Sequence, residues 1–230
     1  MQAVIFDMDG VIVDSERHWK SLEGHFLQSI VPGWTATDQG KIIGLSVHDL
    51  YRMLVDDYGL RHDEQDFLDL YHEMAHDIYG RKTSLLEGFE ESLSLLLGSS
   101  VKVALASSSP MSWIDIVLDR FDLRDKFHIV VSADELQGEG KPSPAIYLLT
   151  ARRLAAQPGQ CIVIEDSKNG ALSAKRAGMF CVGIRNGFND EQDLSAADMI
   201  IDSFARLSWE TLLSTTECPG GTLEGVAPEV

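Results

Sequence analysis

Six short apolar runs, set apart by longer segments of helical period, constrain this chain most. They are 3–6 (AVIF), 101–106 (VKVALA), 129–131 (IVV), 161–164 (CIVI), 181–184 (CVGI) and 199–201 (MII). Most are continuously apolar and rich in Val and Ile, as strands covered on both faces are. Between most of them lie helical stripes. Trp113, Ile114, Val117, Leu118 and Phe121 make one, and Ile146, Leu149 and Leu154 another. Strand alternating with helix predicts an α/β fold: a doubly wound, Rossmann-like parallel sheet with helices on both faces.

One stretch interrupts the alternation. Residues 15–82 contain no strand pattern. Trp19, Leu22, Phe26, Leu27 and Ile30 follow helical spacing, as do Val47, Leu50, Tyr51, Leu54 and Tyr58, and then Phe67, Leu70, Tyr71, Met74 and Ile78. Pro32-Gly33 and Gly59 are natural breaks between them. The expected organisation is an α/β core from 1–14 and 83–214, a helical insert at 15–82, and a loose, aperiodic tail at 215–230.

Charge and length exclude several classes. The 230 residues are ample for a core without a metal or disulfide staple. Lys and Arg number 19 against 36 Asp and Glu, a net charge of −17, so neither nucleic acid nor an anionic membrane is an expected partner. No apolar run reaches the roughly 18–20 residues of a membrane span. Charged residues follow the first apolar run at once, so no secretory leader is expected. Cys161, Cys181 and Cys218 form neither a disulfide framework nor a zinc pattern. A reducing cytoplasm and a monomer are the default expectations.

In open α/β sheets ligands bind beyond the carboxyl ends of the strands. After AVIF come Asp7, Met8, Asp9 and Gly10. After VKVALA come Ser107, Ser108 and Ser109, and after CIVI come Glu165 and Asp166. Gly140-Lys141-Pro142 precedes a helix. Each piece alone has a bland reading: a chance D-x-D, an N-cap, a solvated turn, an exposed acidic pair. Together they bring carboxylates, hydroxyls and one Lys to a single sheet edge.

That set suits phosphoryl transfer. Asp7 and Asp9, two apart, share a face and can reach one phosphorus. Asp7 can attack it to form an aspartyl-phosphate, while Asp9 gives a proton to the leaving oxygen and later takes one from water. Crowded carboxylates call for a cation, and Mg²⁺ prefers such oxygen ligands. Asp166, with Glu165 beside it, would complete that site. The Ser107 hydroxyl and the Ser108 backbone N–H would bind phosphate oxygens, and Lys141 adds positive charge.

The order FDMDGVIVDSE, LASSS, GKPSP and VIEDSKNG resembles the haloacid dehalogenase superfamily, in its subgroup of β-phosphoglucomutase and sugar-phosphate phosphatases with a helical cap. The resemblance implies Asp7 as nucleophile, Asp9 as acid/base, and Ser107 and Lys141 as phosphoryl ligands. It implies Mg²⁺ held by Asp7, the Asp9 carbonyl and Asp166, with Glu165 at or beside the metal. Asp9 disfavours dehalogenase chemistry. β-Phosphoglucomutases carry a cap His where Trp19 stands and a cap-loop Arg where Val47 stands, and both departures count against a mutase.

Within the cap, Trp19 reads first as core and otherwise as a residue shaping the substrate pocket. Gly44 reads as a turn residue, in a turn placed to contact the substrate. Lys41 reads as a solvated charge rather than a Schiff-base residue. The expected function is Mg²⁺-dependent hydrolysis of a small phosphorylated metabolite, a sugar or polyol phosphate. The alternatives are a phosphosugar mutase and a non-catalytic binding protein.

Overall fold

Successive strand residues point to opposite faces of a sheet, and here both faces are apolar. The computed structural model describes residues 1–42, 45–136, 138 and 140–214. Its strands are β1 (Ala3–Phe6), β2 (Lys102–Ser107), β3 (Ile129–Ser132), β4 (Cys161–Glu165), β5 (Phe180–Ile184) and β6 (Met199–Ile201). They form one sheet in the order β3-β2-β1-β4-β5-β6, with every neighbouring pair parallel. This is the doubly wound arrangement expected from the alternating runs. The expected tail, 215–230, lies outside the described residues, and so does Gly44.

The two sheet faces have different partners. Val4, Phe6, Leu105 and Ile164 face one core cluster, filled from α5 (Phe89–Leu97), α6 (Met111–Arg120) and α9 (Trp209–Ser214). Ala3, Ile5, Ala104 and Val163 face a second, filled from α7 (Ala145–Arg153) and α8 (Lys168–Arg176).

Between β1 and α5 the chain is helical: α1 (Glu16–Ile30), α2 (Ala36–Lys41), α3 (Val47–Tyr58) and α4 (Glu64–Asp77). Local signals set the ends. Thr35 and Asp38 form a reciprocal capping box that starts α2, a helix the apolar spacing had not revealed. Ser46 and Asp63 cap α3 and α4 through backbone N–H groups of their first turns, and Gly59 closes α3 at φ 67°. A π-helical turn, Ile78–Lys82, follows α4. Arg120 of α6 donates to the Tyr79 carbonyl at 2.6 Å and to Thr83 Oγ1 at 3.1 Å, fixing that turn to the core. The segments entering and leaving the helical region lie side by side: Asp14 N–H donates to Ser84 O at 3.1 Å, and Ser84 N–H donates to Asp14 Oδ1 at 2.6 Å. Among the described residues no helix is long and apolar enough to cross a membrane.

Candidate active site

Asp7 is the first residue past β1, and its N–H still donates to Ile164 O of β4 at 3.1 Å. The sheet therefore fixes its backbone. Lys141 Nζ lies 2.7 Å from Asp7 Oδ1 and 2.6 Å from Glu165 Oε1, with all three side chains buried. Tyr147 of α7 donates to the same Glu165 oxygen at 2.7 Å. Glu165 Oε2 accepts the Asp166 N–H, the Ser167 N–H and the Ser167 hydroxyl at 3.0–3.2 Å. Gly170 makes room for this carboxylate: a Cβ there would stand 1.8 Å from Glu165 Oε1.

Asp166 comes directly after β4 and faces Gly10. At φ 71° Gly10 takes a conformation that suits glycine, and a Cβ there would lie 2.0 Å from Asp166 Oδ2. Asn186, just past β5, ties the two together by donating to Gly10 O at 2.9 Å and to Asp166 Oδ2 at 3.2 Å. Asn189 donates to the Asp166 carbonyl at 2.8 Å.

One carboxylate oxygen from each of Asp7, Glu165 and Asp166 falls within 4.8 Å of the others. Burial pushes Asp7 up to about 7 against the pull of Lys141. Burial, with Glu16 and Glu165 nearby, holds Asp166 well above the usual carboxylate range. Burial also opposes the Lys141 charge, but Asp7 and Glu165 together outweigh it and keep the ammonium above the usual lysine range. Glu165 obeys the same logic: Lys141, Tyr147 and Ser167 overcome burial and hold it below the ordinary range. An all-oxygen, net-negative cluster of this kind fits a hard divalent cation. Both Glu165 oxygens are already engaged by protein donors, which favours Asp7 and Asp166 as ligands and Glu165 as the group that anchors Lys141.

Asp9 sits apart from that cluster and accepts from hydroxyls. Ser15 Oγ and Tyr79 Oη donate to Oδ1, each at 2.6 Å, and Ser109 Oγ donates to Oδ2 at 2.9 Å. Trp19 Nε1 in turn donates to the Tyr79 hydroxyl at 2.9 Å. Trp19 is half-buried: it packs against the hydrophobic core and also lines the cavity over the sheet edge. Its ring stacks on Tyr71 and on Trp113 at centroid distances of 5.8 and 5.2 Å. Its ring is held by these aromatic contacts, and its polar edge serves Asp9 through Tyr79.

Other expected residues fall nearby. Ser107 is fully buried, and its hydroxyl accepts the Ser109 N–H at 3.0 Å. The cavity wall itself carries Ser108 and Ser109. Lys41 is exposed and paired with Asp38 at 2.7 Å, as a solvated charge should be. Val47 puts an apolar side chain on the cavity wall. Sequence reasoning missed Tyr79, Asn186 and the role of Ser109. Asn186 carried a readable signal: it stands two residues beyond the apolar run CVGI, at a strand end like the other core residues.

The comparisons with known proteins agree with this geometry. The model of the haloacid dehalogenase-like hydrolase family matches residues 4–184. Hexitol phosphatase B of Escherichia coli is 32% identical over 219 residues, covering 92% of this chain and 96% of that protein. The phosphorylated carbohydrates phosphatase of Thermotoga maritima is 31% identical over 201 residues, covering 87% and 93%. Among solved structures, β-phosphoglucomutase from Clostridium difficile superposes with a TM-score of 0.75 at 26% identity, covering 92% of this chain and 95% of that one. With the motif order, the sheet topology and the family match in accord, the chain belongs to the haloacid dehalogenase-like hydrolases.

Proposed function

We propose that the chain is a Mg²⁺-dependent phosphatase of small phosphorylated sugars or polyols that works through a phosphoaspartate on Asp7. The observation that carries this reading is the pairing of two carboxylates in different settings. Asp7 is gripped by Lys141 beside Asp166 and Glu165, and Asp9, two residues on, is held by three hydroxyls. The named activities of the relatives from E. coli and T. maritima support it.

A carboxylate oxygen of Asp7 attacks the phosphorus, and the bond from phosphorus to the leaving oxygen breaks. The Asp9 carboxyl gives its proton to that oxygen, and the alcohol departs. Asp9 then accepts a proton from water as the water attacks phosphorus, the bond to Asp7 breaks, and inorganic phosphate is released. Lys141, the Ser107 hydroxyl at the end of β2 and the Ser108 backbone N–H bind the phosphoryl oxygens. Mg²⁺ held by Asp7, Asp166 and the Asp9 carbonyl, with Glu165 beside it, would neutralise charge on the transferring group. Residues 15–82 act as a cap that excludes water and selects the leaving group, hinged at 14–15 and 82–85.

Val47 speaks against the mutase reading, since a second phosphate would meet an apolar wall there. Phosphate release from phosphorylated sugars, polyols and nucleotides, with Mg²⁺ and with chelator, tests the proposal beside Asp7→Asn. Mg²⁺-dependent release that the substitution removes is the expected result. Release that survives it would overturn the covalent route.

A further inference from the structure

The cap side of the cavity holds a carboxylate that the phosphoryl chemistry does not use. Glu23, on α1, lines the cavity together with Gln39 of α2 and Tyr71 of α4. Tyr71 Oη donates to Glu23 Oε1 at 3.0 Å, and Gln39 Nε2 donates to Oε2 at 2.6 Å. The Gln39 amide is oriented from behind, because its oxygen accepts Trp34 Nε1–H at 3.0 Å. Trp34, Gln39 and Tyr71 are all buried, so this is a built arrangement and not a surface cluster. Each Glu23 oxygen has one supporting donor and keeps further acceptor capacity.

No cation pairs with Glu23 among the described residues. Lys141 is committed to Asp7 and Glu165, and Lys20, at the cavity mouth, pairs with Glu191 at 2.5 Å. A second cap carboxylate, Glu16, lines the same cavity, and much of the remaining cap wall is apolar, with Ile42, Leu45 and Leu50. A half-buried carboxylate without a counter-ion costs stability that an apolar residue would not, so the place of Glu23 here points to a ligand. Such a carboxylate attracts hydroxyl donors and repels anions.

We propose that Glu23, braced by Gln39 and Tyr71, selects the leaving group: it accepts hydrogen bonds from the hydroxyls of an uncharged sugar or polyol and rejects esters that carry a second anionic group. The assignment rests on the phosphatase reading. It narrows that reading to monophosphates of neutral, hydroxyl-rich alcohols.

The test compares kcat/KM ratios in the wild type, Glu23→Gln and Glu23→Ala. The neutral ester is the best of sorbitol 6-phosphate, glucose 6-phosphate and glycerol 3-phosphate. p-Nitrophenyl phosphate has no hydroxyls to recognise, and glucose 1,6-bisphosphate carries a second anion. In both variants the ratio of the neutral ester to p-nitrophenyl phosphate should fall about tenfold, mainly through KM. The ratio of the bisphosphate to the neutral ester should rise about tenfold. Glu23→Ala guards against the Gln amide replacing part of the interaction. Ratios within about twofold of wild type, equal losses on all three esters, or a wild-type preference for the bisphosphate would overturn the assignment to Glu23. Wild-type protein that releases phosphate from none of these esters would instead overturn the phosphatase reading and this inference with it.

Discussion

The Tyr79 hydroxyl, carried on the π-helical turn that ends the cap, lies 2.6 Å from Asp9 Oδ1, carried on the core. Burial and the neighbouring Asp9 charge hold the phenol well above its usual range, so it acts as a donor and not as an acid. Trp19 orients it from the other side. Trp19 and Tyr79 thus form a chain of donors, from the indole N–H to the phenol to the carboxylate, that ends on Asp9.

Tyr79→Phe deletes one donor to Asp9 and takes the acceptor from Trp19 Nε1–H, leaving the ring packing in place. A hydrogen bond to a charged group contributes about 1.5–3 kcal/mol, so kcat should fall roughly 10- to 100-fold with KM changed less than about twofold. Steady-state kinetics on the best substrate checks this. A rise in KM at constant kcat would place Tyr79 in substrate binding instead.

Gly170→Ala should destabilise the fold without touching a reacting group. Its Cβ would stand 1.8 Å from Glu165 Oε1, and that carboxylate has no room to yield because Lys141, Tyr147 and Ser167 all hold it. A loss of about 3 kcal/mol or more is expected, read as a melting temperature lower by roughly 6–12 °C. A melting temperature equal to wild type would mean that Glu165 is not fixed as described.

Lys141→Met removes the one cation between Asp7 and Glu165 and leaves two buried carboxylates face to face. Breaking such a pair costs about 3–5 kcal/mol. Thermal denaturation in chelator should show that loss, and Mg²⁺ should recover part of it, because a cation again sits among the carboxylates. Equal melting curves with and without Mg²⁺ would contradict the metal assignment.

The core was legible because its signals are local. Each of the six apolar runs became a strand within one or two residues, since a continuous Val and Ile run has few other homes. The meeting of Asp7, Glu165 and Asp166 in one acidic cluster was legible because they stand at or just past strand ends, where a parallel sheet gathers its ligands. The cap was legible as helices but not as chemistry. Helical spacing put Trp19 on an apolar stripe, yet it did not show that the ring would stack on Tyr71 and Trp113 and turn its N–H to Tyr79. Glu23 and Tyr79 are 56 positions apart, and their meeting over one cavity depends on how α1, α2 and α4 pack. The Thr35–Asp38 capping box was a readable sign of α2, hidden because so short a helix shows little apolar period.

Burial pushes Glu23 from its ordinary 4.5 up to about 7, against the hydrogen bonds from Tyr71 and Gln39. A carboxylate whose folded-state pKa is raised binds more protons folded than unfolded between those values, so its contribution to stability declines as pH rises through that window. Glu23→Gln escapes the decline. The melting temperature of the variant relative to wild type should therefore be higher at about pH 8 than at about pH 5. Glu16, which faces the same cavity from α1, is raised by burial and in part by the Glu23 charge, so the variant also lets Glu16 relax towards its ordinary range, and the difference reports Glu23 together with that relief, both of the same sign. A difference that does not change with pH would show Glu23 to be as well solvated as an ordinary surface acid.

Passage of the phosphoryl group through Asp7 is tested most directly by an acid-quenched single turnover. The best substrate, labelled on phosphorus, is turned over in the presence of Mg²⁺, and the labelled peptide is mapped. The label should sit on the peptide carrying Asp7, form as the alcohol is released, decay as phosphate appears, and be absent from Asp7→Asn. Turnover with no protein-bound label, label on another residue, or turnover by Asp7→Asn would contradict it.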